Sequence, residues 1–157
     1  MKIPSLAYSI TLAGCVGSLL PRLGPAQVLP TNRVPSAVRQ GYAKRFPGTR
    51  KTEWKLKTDR NYEAEFELKG VGIAAKFDST GAWLETESDI KPGQVPDAVS
   101  RSISRDFSGY TIIERQRLEQ RTGLSLYEIH LENAKRVLKT QFDSTGRLVA
   151  TSSKPRV

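Results

Sequence analysis

Reactive side chains are scarce in this sequence. Its 157 residues hold one cysteine, one histidine and two tryptophans. A single cysteine, Cys15, excludes an intrachain disulfide and a cysteine-built zinc centre. There is no glycine-rich loop to cradle a phosphate and no nucleophile motif. No basic run is interleaved with aromatic residues. The net charge of +9 is therefore read as a mixed, solvated surface, and no nucleic-acid partner is expected. What is present is enough for a packed body, with 38% hydrophobic and 26% charged residues.

The first residues read as an export leader. Lys2 precedes an uncharged, mostly apolar or small stretch from Ile3 to Leu20, broken by Pro21, Arg22 and Pro25. Gly24-Pro25-Ala26 puts small residues where a signal peptidase cuts. Leu12-Ala13-Gly14-Cys15 matches a bacterial lipobox, with Cys15 as the lipidated residue. The apolar run continues past Cys15 where a polar tether is usual, so cleavage near Ala26 is the favoured reading. Lipidation at Cys15 is the alternative, and only then is a membrane a partner.

The remainder is organised by duplication. Phe77-Asp78-Ser79-Thr80-Gly81 recurs as Phe142-Asp143-Ser144-Thr145-Gly146. Val34-Pro35-x-Ala37-Val38 answers to Val95-Pro96-x-Ala98-Val99, Phe46 to Phe107, and Tyr62-Glu63 to Tyr127-Glu128. The second copy is about four residues longer, between its first two strands near Gln120 to Gly123. The expected layout is a signal peptide over 1–26, a lead-in over 27–33, and repeats over 34–90 and 91–157.

Within each copy the periods change. Val34, Val38, Tyr42 and Phe46 recur every four residues, as do Val95, Val99, Ile103 and Phe107, which predicts two helices. Gly41 weakens the first unless another backbone comes close there. Tyr62, Ala64, Phe66 and Leu68 alternate with Glu63, Glu65 and Glu67, the clearest strand pattern in the chain. Each Asp-Ser-Thr-Gly suits a tight turn with glycine in a left-handed position. The adjacent Trp83 and Leu84 leave the parity of that strand open. Ser152 to Val157 reads as a frayed tail. The expected fold is α+β, with two tandem helix-plus-four-strand repeats. They join into one curved antiparallel eight-stranded sheet with both helices on one face.

These residues carry a resemblance. Val-Pro-x-Ala-Val, Phe46-Pro47-Gly48, Glu53-Trp54, Tyr62-Glu63-Ala64-Glu65-Phe66, Ala75-x-Phe77-Asp78-x-x-Gly81 and Trp83-Leu84-Glu85-Thr86-Glu87 resemble the PepSY-like family of β-lactamase-inhibitor-like proteins. The likeness runs from Val34 to about Thr151 and is stronger in the first copy. Phe107-Ser108-Gly109 lacks the proline, and no tryptophan stands in the second copy. The resemblance implies an exported protein of Gram-negative bacteria with a β-lactamase-inhibitor-like fold, in the periplasm or secreted. It implies no catalytic residue.

No cofactor, metal site or enzymatic activity is expected. Glu63, Glu65 and Glu67 on one strand face lack a neighbour that would desolvate one of them for acid–base work. His130, flanked by Glu128 and Glu132 on one strand face, is at most a weak metal site, since zinc normally takes three or four well-placed ligands. Both sets are read as strand decoration, with Lys55 and Lys57 balancing the first across the ladder. The candidate binding surface is the sheet face away from the helices: Lys55, Lys57, Glu63, Glu65, Glu67, Glu128, His130 and Glu132, with Trp83 as a further anchor. The expected role is a non-catalytic binding or inhibitory module for a protein of the cell envelope, such as an enzyme or peptidase. The alternative is a periplasmic carrier or sensor of a small ligand or ion. Intact-mass analysis of protein from its native host should give a chain starting near Gln27. A mass matching acylated Cys15 would replace that reading with the lipoprotein.

Overall fold

The computed structural model of the protein describes residues 27–156. The leader, its cleavage site and Cys15 lie outside the described residues. The body is one nine-stranded antiparallel sheet with two helices. The strands are β1 (Gln27–Leu29), β2 (Glu53–Leu56), β3 (Tyr62–Leu68), β4 (Val71–Phe77), β5 (Trp83–Asp89), β6 (Thr111–Gln120), β7 (Ser125–Glu132), β8 (Arg136–Phe142) and β9 (Leu148–Pro155). They pair strictly in chain order. The helices are α1 (Ser36–Arg45) and α2 (Asp97–Asp106).

The sheet is one strand larger than the eight expected. Gln27, Val28 and Leu29 pair with Leu56, Lys55 and Trp54, so part of the polar lead-in is an edge strand. The C-terminal segment is likewise ordered: β8 pairs with β9 as far as Arg136 with Pro155. β1 is too short, and Ser152 to Pro155 too polar, to show an alternating apolar pattern, and neighbouring backbone holds both.

α1 covers an apolar patch. Val38 and Tyr42 pack with Trp54, Ala64, Phe66, Ala75 and Phe77, all buried. The Tyr42 hydroxyl bonds to Thr49 and Thr52, at 2.7 and 2.8 Å, so its polar end is satisfied within an aromatic cluster. Val99 and Ile103 of α2 pack with Ile129, Leu131, Leu138 and Phe142. Each helix starts just after a proline, Pro35 or Pro96, which sits at the cap in an extended conformation.

Glycine decides how closely α1 approaches. A Cβ at Gly41 would lie 2.1 Å from the carbonyl oxygen of Gly81. Gly81, at φ +86°, closes the turn between β4 and β5. Asp78 holds that turn through its side chain, accepting from the backbone N–H groups of Thr80 and Ala82 at 2.8 and 3.1 Å. The helix-weakening glycine is thus where backbone meets backbone.

A bulge settles the parity of β5. Lys76 pairs with Glu85 but Phe77 pairs with Trp83, leaving Leu84 as the extra residue. Trp83 therefore turns to the α1 side.

Phe77→Ala or Phe142→Ala should each destabilise the fold by about 3–5 kcal/mol, because both rings are fully buried. Gly41→Ala should also lower the melting temperature, although alanine favours a helix by up to about 1 kcal/mol. A rise in melting temperature for Gly41→Ala would refute the close contact.

Candidate functional site

Alternation turns the intervening residues of β2 to β8 to the side away from the two cores. Ladder register brings the predicted charges together there. Glu63 lies between Lys55 and Lys76, and Lys76 opposite Glu85. Further along, Gln116 pairs with Glu128, Glu128 with Gln141, and His130 with Lys139.

The ion pairs at the β2–β3 end run diagonally. Lys55 Nζ is 2.6 Å from Glu65, and Lys57 Nζ is 2.9 Å from Glu63. Lys76 reaches Glu85 at 2.5 Å. Burial disfavours the Lys76 ammonium, but its hydrogen bond and attraction to Glu85 prevail and hold its pKa above the usual lysine value.

The β7–β8 end is built on Glu128, which has no exposed surface. One carboxylate oxygen meets Lys139 Nζ at 2.6 Å and His130 Nε2 at 3.1 Å. The other accepts from the Gln141 side-chain amide at 2.8 Å. The second ring nitrogen of His130, Nδ1, contacts Glu114 at 2.5 Å. Burial alone would push the Glu128 carboxyl up, but these donors outweigh it and pull it down to about 2. The Glu128 hydrogen bond in turn raises His130 against the opposing effect of burial, with the Glu114 charge adding to the rise. Glu87 is the opposite case. Burial raises its pKa, the Lys139 ammonium at 3.6 Å offsets this in part, and the carboxylates of Glu128, Glu63 and Glu85 raise it further.

Several expectations change here. Glu63 and Glu128 were read as outward decoration, but both are buried, because neighbouring lysine, histidine and glutamine side chains close over them. Glu67 is exposed on the same side, and Glu132 is held by Arg156 Nε at 2.7 Å. Trp83 does not join the set. Its indole packs on the first core, 3.4 Å below the Arg45 guanidinium, and donates to Thr86 at 2.8 Å. The charged side is also not purely charged. Leu118 and Leu126 pair across β6 and β7, are each 2% exposed, and share the side of Glu87 and Glu128.

Lys76, Glu85, Glu87, Glu114, Lys139 and Gln141 were missed. Parity would have found Lys76, Lys139 and Gln141, since each alternates with core residues. Glu114 stands beyond a register shift between Ile112 and Glu114, and Glu85 and Glu87 beyond the bulge at Leu84. Among the described residues no group of three or more His, Cys, Asp or Glu is disposed to hold a metal ion. No described helix is long and apolar enough to cross a membrane. A hollow of about 370 Å³ opens on the charged side between the two ends of the network, walled by Glu63, Glu87 and His130.

The sequence pattern of the beta-lactamase-inhibitor-like, PepSY-like family matches residues 60–150. Among solved structures, a DUF2874 family protein from Bacteroides uniformis is similar at a TM-score of 0.69 and 20% identity, over 76% of this chain and 88% of that one. A protein from Bacteroides eggerthii described as periplasmic gives a TM-score of 0.69 at 17% identity, over 76% and 88%. A BLIP-like protein from Bacteroides fragilis gives 0.63 at 21% identity, over 78% and 94%. At these identities the likeness is one of fold. No functionally curated protein matches the chain.

The network makes stability depend on pH at two ends. A lowered carboxyl stabilises the fold above its unfolded pKa, near 4.5, and loses this as pH falls toward about 2. A raised histidine stabilises below its unfolded pKa, near 6.5, and loses this as pH rises through the higher folded value. Glu128→Gln should cost roughly 3 kcal/mol at pH 7. In urea titrations across pH, that cost should shrink between pH 4.5 and 2. A cost independent of pH would show that the carboxylate charge is not what the site uses.

Proposed function

The chain belongs to the beta-lactamase-inhibitor-like, PepSY-like family, and on that premise we propose that it is an exported, non-catalytic module. It binds a protein of the cell envelope through the sheet face opposite its helices. The observation that carries this reading is the Glu128 network. A buried carboxylate held by three side chains keeps the surrounding charges in fixed positions before any partner arrives, and fixed charges orient a partner. A face spanning seven or eight strands is also large enough for about 800 Å² per partner.

The reading takes the chain as tandem repeats over 34–90 and 91–157, with both helices on one side. Ladder register supports this. Ile73, Ser88, Arg117, Tyr127 and Phe142 are successive partners in one row, and the row runs from the first core to the second. The turn glycines support it too. A Cβ at Gly81 would lie 2.2 Å from the Ala37 carbonyl oxygen, and one at Gly146 2.4 Å from that of Ala98. The working location is the periplasm or the exterior, with a lipid anchor at Cys15 as the alternative. A second reading, a carrier or sensor of a small ligand or ion, is favoured by the 370 Å³ hollow on the same face. A ligand seen in native mass spectrometry would favour it over a protein partner.

Reversal of Glu128 would disrupt a buried network, so accessible charges serve as the test. Glu65→Lys with Asp89→Lys should weaken capture of the partner from envelope extracts at least tenfold, with an unchanged circular dichroism spectrum. Arg39→Glu with Arg101→Glu, on the helices, should leave capture intact. Loss only in the helix variant would put the binding surface on the other side.

A further inference from the structure

Two hollows of the charged face differ in chemistry. The first is walled by carboxylates, among them Glu63, Glu87, Asp89 and Glu114. The second, of about 400 Å³, is walled by Ile113, Val137, Ser152, Ser153 and Lys139. Glu114 and His130 belong to both walls, so the hollows are lobes of one groove.

The acidic lobe is under-neutralised. Lys57 is taken by Glu63, and Glu65 is taken by Lys55. The nearest ammonium to Glu87 among the described residues is Lys139 at 3.6 Å, and that group sits closer to Glu128, at 2.6 Å. Asp89 accepts from the Gln116 amide at 3.1 Å and has no cation within ion-pair distance among the described residues. An ammonium or guanidinium entering this lobe would meet Asp89, and beside it Glu87, whose one ammonium is shared with Glu128, on a chain that is otherwise strongly basic. The second lobe offers the opposite chemistry. Ile113 is 49% exposed at its mouth, and Val137 is half-buried beside it.

The lobes are spaced for an extended chain. Glu87 on β5 and Val137 on β8 are three strand spacings apart across the sheet, and their rows meet β7 at Leu126 and Glu132, six residues apart along it. At about 4.8 Å per spacing and 3.3 Å per residue this is roughly 14 Å across and 20 Å along, or about 24 Å in all, which an extended peptide covers in about seven residues.

Resting on the reading of this face as a binding surface, we propose that the groove takes an extended segment of the protein partner. That segment carries a lysine or arginine for the Glu87–Asp89 lobe and, about seven residues along, an aliphatic side chain for the Ile113–Val137 lobe. The charge of the first lobe selects the cation, and the apolar wall of the second excludes a simple polyvalent cation as its natural occupant.

The probe is a blocked decapeptide, Gly-Lys-Gly-Ser-Gly-Ser-Gly-Ser-Leu-Gly, titrated into the isotopically labelled full body by NMR. Shifts should centre on the backbone amides of Glu87, Asp89, Glu114 and Val137, and affinity should fall as salt rises. Glutamate in place of the peptide's lysine should abolish binding, and serine in place of its leucine should weaken it about tenfold. Glu87→Gln with Asp89→Asn in the protein should weaken the lysine peptide at least fivefold and leave the circular dichroism spectrum unchanged. Equal binding of the glutamate peptide, shifts centred elsewhere, or no shift at about 5 mM peptide would overturn the proposal. If partner capture depends on Glu65 and Asp89 while the peptide fails these tests, only the segment chemistry falls. If capture depends on the helix variant instead, the assignment of the face falls, and the peptide shifts still report on the groove.

Discussion

A β-strand sends successive side chains to opposite sides, and everything else in this molecule follows from that alternation. One side of the inner strands supplies aromatic and aliphatic groups that need cover. Two ten-residue helices supply it over two separate cores. The intervening residues point away from those cores, and many of them are charged. Because the sheet is continuous in chain order, those charges form neighbouring rows and not isolated pairs.

Neighbouring rows change what each charge does. A glutamate alone on a strand is solvated and cheap. Glu128, between His130, Lys139 and Gln141, has lost its water, and the side chains around it replace that water. Glu87 has lost part of its water without gaining an equal partner. The same face therefore holds one carboxylate met by three side chains and one met by a single, shared ammonium. Leu118 and Leu126 beneath them add an apolar floor that keeps the local dielectric low.

The helix contacts show how local cost and tertiary gain trade against each other. Gly41 weakens α1 as an isolated helix, yet it lets the helix backbone reach the Gly81 carbonyl. Gly81 is itself at a left-handed φ that the Asp78 turn requires. Trp83, delivered by the adjoining bulge, lies under Arg45 and closes the rim of that core.

Periodicity in the sequence determined the helices, the inner strands and the members of both cores, because burial repeats every second or fourth residue. It also determined which side carries Glu63, Glu65, Glu128 and His130. It was silent on β1 and on the end of β9, whose polar residues are ordered by ladder bonds that leave no periodic trace. The parity of Trp83 was decided by a bulge, which inserts one residue and breaks the period that parity depends on. The burial of Glu63 and Glu128, the joining of Glu114 to His130 and the sharing of Lys139 between Glu87 and Glu128 were decided by tertiary structure alone. Each depends on which side chains stand on the next strand, and register sets those neighbours across the sheet, not along the chain.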